Sequence, residues 1–341
     1  MTQGDLEKRY AELRRTENSL FNYSMSIKEN LEEINCNVKT HSHLVERALQ
    51  IPNPKGKIIV TDSQKEALLR LFENMWINEL YLSTVARPNP THFFYLEYIC
   101  FYYSLFSAVS IVERILNPGQ RGDKHRSKIQ NFNSHMMKNK ILRDLYFPPF
   151  TLVVRQGTLD VCGTKVTCDN GQSLLTSWIN DYDTARHQGV LGRSGSLVQT
   201  DIYTLRICRS LVKYCNEKKK YNSVSFINYF MSFRHFFHYR ASSILGGHDY
   251  DVRKLVDRCR NSMREILDVS NFISEIFYCM KIDNDSLSCR RADFINSVLS
   301  GSEIYEFELS FLERRGNSLL KFQQKNEKVE KNHIAGMNGS L

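Results

Sequence analysis

The chain has 341 residues, of which 42% are hydrophobic, and it carries a formal net charge of +9. An apolar fraction of this size excludes a wholly disordered chain, and a content of 7 Pro and 16 Gly favours long helices over many short strands and turns. The basic surplus favours an acidic partner, which could be nucleic acid, an anionic membrane face or an acidic protein.

The N-terminus and the cysteines indicate the compartment. The opening MTQGDLEKRY has no apolar run behind a basic start, so we expect no secretory signal. The nine cysteines are scattered and odd in number, which predicts reduced thiols in the cytoplasm rather than a disulfide scaffold.

Residues 5–51 contain the most regular pattern of the chain, without a Pro or Gly. Positions spaced alternately four and three residues apart are apolar or aromatic except at Glu17, Ser24 and His41. These positions are Leu6, Tyr10, Leu13, Glu17, Leu20, Ser24, Ile27, Leu31, Ile34, Val38, His41, Val45 and Ala48. The 3.5-residue period is typical of a coiled coil, and an uninterrupted helix of this length would run roughly 70 Å.

A coiled-coil-type arm over residues 1–51 has two interpretations. Its apolar seam could pair with a second copy, which would make the chain a homo-oligomer through residues 5–50, or the seam could pack on helices of the same chain. Polar breaks in such a seam can set register or oligomer state. We expect the homo-oligomer.

The linker Ile51-Pro-Asn-Pro-Lys-Gly precedes a helical domain that we predict over residues 58–145. Ser63 and Glu66 have the spacing of a capping box, in which each side chain bonds a free backbone amide at the start of a helix. The domain closes with a basic, polar helix at 123–141, which carries Lys124, Arg126, Lys128, Lys138 and Lys140.

An aromatic helix is predicted at 92–116. Within it, the apolar stretch from Phe93 to Val112 is about as long as a membrane span. Glu97 and recurring Tyr and Ser residues interrupt the stretch, and strong basic flanks are missing. A buried core helix is therefore expected, with no membrane contact.

Short β-rich runs interrupt the helices between residues 146 and 170. The runs are Thr151–Arg155, Leu159–Cys162 and Lys165–Cys168. Gly157 and Gly163 stand at the turns between them, which predicts a small β-meander. A meander of this size is not stable alone, so we expect it to lie against helices.

A second helical domain is predicted over residues 171–325, followed by a flexible tail over residues 326–341. Predicted helices within this part of the chain cover about 172–186, 201–216, 224–245, 250–282, 291–299 and 302 onward. The sequence thus predicts a mainly α fold, with a long N-terminal coiled-coil-type helix and a helical body that contains a small β-meander insertion.

The strongest candidate for chemistry is the stretch Phe233–Arg240, which reads FRHFFHYR. On a helix, Arg234 and His238 share one face, because they are four residues apart. Arginine can grip a phosphate with two hydrogen bonds, and histidine can move the proton of an attacking or leaving hydroxyl near neutral pH. The pair suits RNA cleavage, while an amphipathic helix edge with ordinary polar residues explains the same pattern.

This stretch resembles the signature of the HEPN superfamily, an Arg followed by a His near the start of a helix. The interval between Arg234 and His238 is one residue shorter than the family's, and Arg87 and His92 have the family's interval but with prolines in it. Members are all-α, and many are metal-independent RNases or toxins in bacterial immunity with an active site assembled across a dimer. The resemblance implies that Arg234 binds the phosphate, that His238 acts in acid–base chemistry and that the arm brings two copies together.

Further side chains are candidates for nucleic-acid contact. His235, Tyr239 and Arg240 lie beside the pair, and Arg186 and Arg193 flank a Gly-rich loop whose backbone amides could face an anion. The loop lacks the spacing of a P-loop, and a flexible connection explains it equally well.

We expect no metal site and no cofactor. The cysteine pairs lack the second close pair that a zinc site needs. Asp181 and Asp183 near His187 suit a solvated helix end as well as a metal.

Two functions remain open from the sequence. The first is an RNA-directed endoribonuclease in an intracellular toxin or anti-phage defence setting, in which Arg234 and His238 do the chemistry. The second is a non-enzymatic adaptor, which assembles through its arm and holds an acidic protein partner or nucleic acid on its basic body. A solvent-open groove lined by Arg234 and His238 would favour the first.

Overall fold

The computed structural model describes most of the chain. The described residues are 3–32, 40–51, 57–84, 91, 93–119, 124–155, 158–161, 164–167, 202–218, 221–240, 250–299 and 306–338. The helices among them are α1 (Gln3–Glu32), α2 (Thr40–Gln50), α3 (Asp62–Thr84), α4 (Phe94–Leu116), α5 (His125–Lys138), α6 (Lys140–Phe150), α7 (Ile202–Glu217), α8 (Phe226–Arg240), α9 (Tyr250–Lys281), α10 (Asp285–Leu299) and α11 (Glu306–Asn338). The strands are β1 (Val153–Arg155), β2 (Thr158–Val161), β3 (Thr164–Thr167) and β4 (Ser223–Val224). The fold is mainly α with a small sheet, as predicted.

Helix α4 lies at the centre of the fold and packs on α3, α5, α8 and α9. It is long and apolar enough to cross a membrane, but most residues of its apolar stretch are buried inside the protein. Glu97 within it is fully buried, and Nε and Nη2 of Arg260 on α9 each donate to its carboxylate at 2.7 Å. Because a buried carboxylate requires a partner, this ion pair explains how a charge is accommodated in an apolar helix.

The apolar seam of α1 packs on the chain's own helices α6, α7 and α9. Its buried members include Leu13, Leu20 and Ile27. Arg258 Nη1 lies 3.6 Å from Glu17 Oε1. About two turns further along both helices, the Ser24 hydroxyl donates to Glu265. Since both contacts join residues that differ by the same number, α1 and α9 run parallel. Among the described residues, the seam therefore packs on helices of the same chain, which was the second interpretation of the sequence pattern.

Helix α2 does not continue the line of α1 along α9. In the register of Glu17 and Ser24, which contact residues 241 positions later, residue 41 would lie beside residue 282. The His41 Nε2 atom instead lies 3.0 Å from Asp268, only 227 positions later, and α2 packs on α11. The separation between residues 268 and 282 corresponds to about 20 Å of helix. The prediction of a single straight helix over residues 5–51 is therefore wrong. Residues 33–39 lie outside the description.

The predicted β-meander is confirmed, with one addition. The antiparallel sheet has the order β3-β2-β1-β4, and β1 pairs with β2 so that Val154 faces Leu159. Strand β4 adds to the other edge, where Val154 also faces Val224. The sheet lies against α5 and α7, as its small size requires.

Helix α6 occupies the start of the region that the sequence assigned to the meander, residues 146–170. The Asn139 side chain caps it by accepting from the Leu142 amide at 3.2 Å. Its last turn contains Pro148 and Pro149, and proline disfavours helix interiors because it lacks a backbone N–H. Because of these prolines, the sequence pattern did not predict the helix. The first strand begins only at Val153.

Two helix ends differ from the predictions. The capping box before α3 is formed by Thr61 and Gln64 rather than Ser63 and Glu66: the Gln64 amide donates to Thr61 Oγ1 at 3.3 Å, and the Thr61 amide donates to Gln64 Oε1 at 2.8 Å. Helix α11 continues to Asn338, so most of the predicted flexible tail over residues 326–341 is helical. The predicted helix at 172–186 and the Gly-rich loop lie outside the described residues.

Candidate functional site

The backbone of α8 carries both residues of the predicted catalytic pair. Arg234 and His238 lie one turn apart on this helix, as the sequence predicts, and the Arg234 side chain is half-buried. Other predicted contacts fall outside what the structure describes. These are the side chains of His235, His238, Tyr239 and Arg240, and the whole of Arg87, His92, Asp181, Asp183, Arg186, His187 and Arg193.

Aromatic packing fixes the rotation of α8 about its axis. Phe237 stacks on Tyr98 of α4 at a centroid distance of 4.5 Å, and Phe230 meets Phe101 edge-on at 5.3 Å. With these rings buried against α4, Arg234, one turn before Phe237, lies over Tyr102 and Tyr103 in the middle of α4. The hydrophobic face of α8 thus positions its cation.

Arg234 lies over two tyrosine rings of α4. Its Cζ atom is 5.4 Å from the centroid of Tyr102 and 5.2 Å from that of Tyr103. A guanidinium at this distance is attracted to the electron-rich ring faces. The two rings hold the cation without neutralising it.

His125 joins this group from the first position of α5. Its ring stacks on Phe106 at 3.9 Å, meets Tyr103 edge-on at 6.0 Å, and has Nδ1 3.4 Å from the Tyr102 hydroxyl. Burial lowers the pKa of His125, and the nearby charges of Arg234 and Lys128 lower it further. We call Tyr102, Tyr103, Phe106, His125 and Arg234 the Arg234 cluster.

The Tyr102 hydroxyl contacts both His125 and Arg234. Burial raises its pKa, and this effect outweighs the opposing influence of Arg234. The phenol therefore stays protonated over the physiological range, and its oxygen can accept a hydrogen bond while its proton is donated. It is suited to holding Arg234 and His125 in fixed relation.

The charge on the Arg234 cluster is not balanced within the described part of the chain. Arg260, Arg291 and Arg315 each form an ion pair with a buried glutamate. No such salt bridge is found for Arg234 among the described residues. The start of α5 adds to the positive potential, because it has no side-chain cap and no acidic residue in its first turn. The arrangement favours an anion.

The connection between α7 and α8 places a further aromatic ring, Tyr221, near Tyr102 of the cluster. Asn133 of α5 donates to Ser223 Oγ at 3.2 Å and to Asn228 Oδ1 at 3.0 Å, which anchors this connection to α5. Tyr221, on the same connection, lies under Arg126 with 5.7 Å between Cζ and the ring centroid. Arg126 and the Tyr221 ring thus form a further cation–aromatic contact at the start of α5.

A second group of charges is buried between α2, α3, α9 and α11. Arg315, which is fully buried, donates to both carboxylate oxygens of Glu79, at 2.9 Å through Nη1 and 2.5 Å through Nη2. The neighbouring Glu275 accepts from Trp76 Nε1 at 2.8 Å and pairs with Arg291 at 3.0 Å. Each carboxylate here already has a cation, so this group holds helices together.

The described residues contain no group of three or more His, Cys, Asp or Glu side chains that could hold a metal ion. The cysteines Cys208 and Cys215 are buried, as expected of core packing.

His125 is the residue that the sequence did not single out. The basic helix at 123–141 drew attention to its lysines and arginines, while His125 has no helical spacing to Arg234. Only the packing of α5 and α8 on α4 brings these two side chains to the same tyrosines.

Comparison with known protein families, with curated proteins and with solved structures returned no match. The resemblance to the HEPN superfamily stays a prediction.

Proposed function

We propose that this protein is an RNA-directed, metal-independent ribonuclease of HEPN-like type, active inside the cell in a toxin or anti-phage defence setting. The observation that carries the proposal is the Arg234 guanidinium, which is half-buried over Tyr102 and Tyr103 and forms no salt bridge among the described residues. A phosphodiester would supply the missing negative charge.

The chemistry follows from the charge that develops during cleavage. When a 2′-hydroxyl attacks phosphorus, negative charge builds up on the phosphoryl oxygens, and a preorganised arginine can bind two of them. Such a reaction needs an acid–base group but no metal ion. His238, one turn from Arg234 on α8, is the acid–base group that the sequence motif implies.

A cleavage assay in EDTA tests the proposal. We expect wild type to cut single-stranded RNA, and Arg234→Ala to lose at least about 100-fold in rate, because removal of one preorganised charge-stabilising group typically costs that much. Arg206→Ala is the matched control, since Arg206 also lies over a tyrosine ring, 5.7 Å from Tyr203, but is exposed on α7. Absence of cleavage by wild type, or equal rates in wild type and Arg234→Ala, would contradict the proposal.

The adaptor is the second candidate, and the exposed apolar side chains favour it. Phe21 of α1 and Tyr81 of α3 are 40% and 48% exposed. Exposed aromatic side chains are enriched at protein interfaces. Retention of RNA or an acidic protein without any cleavage would support an adaptor that uses the same basic surface.

A further inference from the structure

We infer that His125 is a catalytic residue of the proposed ribonuclease: it takes the proton from the attacking 2′-hydroxyl of RNA while Arg234 holds the scissile phosphate. The inference rests on the proposed function and differs from the assignment of the acid–base role to His238. It places both groups in one chain, so that no second copy is needed to complete the site.

His125 and Arg234 reach the same two tyrosines from different helices. The centroid of the His125 ring lies 6.3 Å from that of Tyr102 and 6.0 Å from that of Tyr103, and Arg234 Cζ lies 5.4 Å and 5.2 Å from the same rings. Both side chains are half-buried. Each is therefore held in place by packing while part of it stays open to a ligand.

The groups that face His125 favour the neutral imidazole. They are Tyr102 and Tyr103 of α4, Arg234 of α8 and Lys128 of α5 itself. Two of them are cations, and no carboxylate pairs with His125 in the described part of the chain. Burial first and these cations second lower the pKa of His125. A neutral imidazole beside a phosphate-binding arginine can accept a proton at pH 7.

The reaction balances without a metal or an oxidant. The 2′-oxygen attacks phosphorus, a P–O2′ bond forms and the P–O5′ bond breaks, while His125 takes the 2′ proton. Water protonates the departing 5′-oxygen, and the hydroxide that is left takes the proton back from His125. The products are a 2′,3′-cyclic phosphate and a 5′-hydroxyl. The substrate class is RNA, and DNA of the same sequence should stay uncut.

The test compares full-length wild type, His125→Gln and His135→Gln on a short single-stranded RNA in EDTA. His135 is the matched control, because it lies on the same helix, is also half-buried and also has its pKa lowered by burial, but stands at the far end of α5. We expect the cleavage rate to fall about 100-fold or more only in His125→Gln, with unchanged affinity for an uncleavable 2′-O-methyl RNA. The wild-type rate should fall in acid as His125 becomes protonated.

An NMR titration of His125 gives a second readout that does not depend on how well His125→Gln folds. Bound 2′-O-methyl RNA should raise the pKa of His125, because a nearby phosphate stabilises the imidazolium. Arg234→Gln should raise it in the free protein, because a nearby cation is removed. A pKa of His125 that responds to neither change overturns the inference.

The outcomes separate this inference from the proposed function. Cleavage that survives His125→Gln but is lost in Arg234→Ala overturns the role of His125 and leaves the ribonuclease in place. Cleavage lost in His238→Gln and kept in His125→Gln assigns the proton transfer to His238 instead. Absence of cleavage by wild type overturns both proposals.

Discussion

The arginines in the interior of this protein differ in what balances their charge. Arg260 and Arg315 each form paired hydrogen bonds with a buried glutamate, Glu97 and Glu79. Arg234 has tyrosine rings where these two have carboxylates. Since a buried cation is costly without compensation, the paired arginines serve stability, whereas Arg234 has no carboxylate partner among the described residues.

The pair of Glu97 and Arg260 gives a stability prediction at the residue scale. Arg260→Met leaves the fully buried Glu97 carboxylate without its bidentate partner, and we expect the free energy of unfolding to fall by about 3–5 kcal/mol. Urea denaturation of Arg260→Met against wild type measures this loss.

The double variant is the control for this prediction. Glu97→Leu combined with Arg260→Met removes both charges together, and we expect it to recover most of the lost stability, because a buried ion pair can be replaced by apolar groups at little cost. If the double variant is as unstable as the single one, the loss comes from packing and not from an unpaired charge.

At the scale of elements, the packing of α1 against α9 shows what the sequence period can and cannot predict. The two helices are far apart in sequence but pack in parallel, and the Lys28 ammonium on α1 lies 2.7 Å from Glu265 on α9. The 3.5-residue period of α1 correctly predicts a helix that packs along one seam. The same period suits a partner helix from this chain or from a second copy, so periodicity alone could not identify the partner.

Self-association through residues 5–50 stays a prediction, and the structure limits how it can occur. Because the seam is occupied, a contact with a second copy must use the outer face of α1, where Phe21 is 40% exposed. We expect Phe21→Asp to lower the mass in solution, measured by light scattering, toward the 39.9 kDa of one chain. Gln3→Asp, on the exposed start of the same helix, should leave the mass unchanged. A wild-type protein that is already monomeric in solution would contradict the prediction of self-association.

At the scale of the whole molecule, buried ionic groups join helices that are distant in sequence. Asp268 of α9 contacts both His41 of α2 and Arg315 of α11. Burial acts to raise the pKa of Asp268, but the hydrogen bond with His41 and the charge of Arg315 outweigh it and hold the pKa at about 2. The carboxylate is thus ionised throughout the neutral range and connects three helices.

The sequence predicted what local patterns determine. The helices, the meander and the placement of Arg234 and His238 on one helix follow from periodicity and turn residues. Helix α6 was missed because its prolines look like a break. The pairing of Arg234 with His125 was missed because it depends on two helices that pack on a third, which no spacing within one helix can indicate.

The central claim is that Arg234 binds phosphate, and a binding measurement with uncleavable 2′-O-methyl RNA tests it most directly. Affinity should be determined by fluorescence anisotropy over a range of salt concentrations for wild type, Arg234→Ala and the control Arg206→Ala. We predict that only Arg234→Ala weakens binding, by about tenfold or more, since a charged hydrogen bond contributes about 1.5–3 kcal/mol. The salt dependence of Arg234→Ala should also be shallower by about one phosphate contact. Equal affinity and equal salt dependence in wild type and Arg234→Ala would contradict the account.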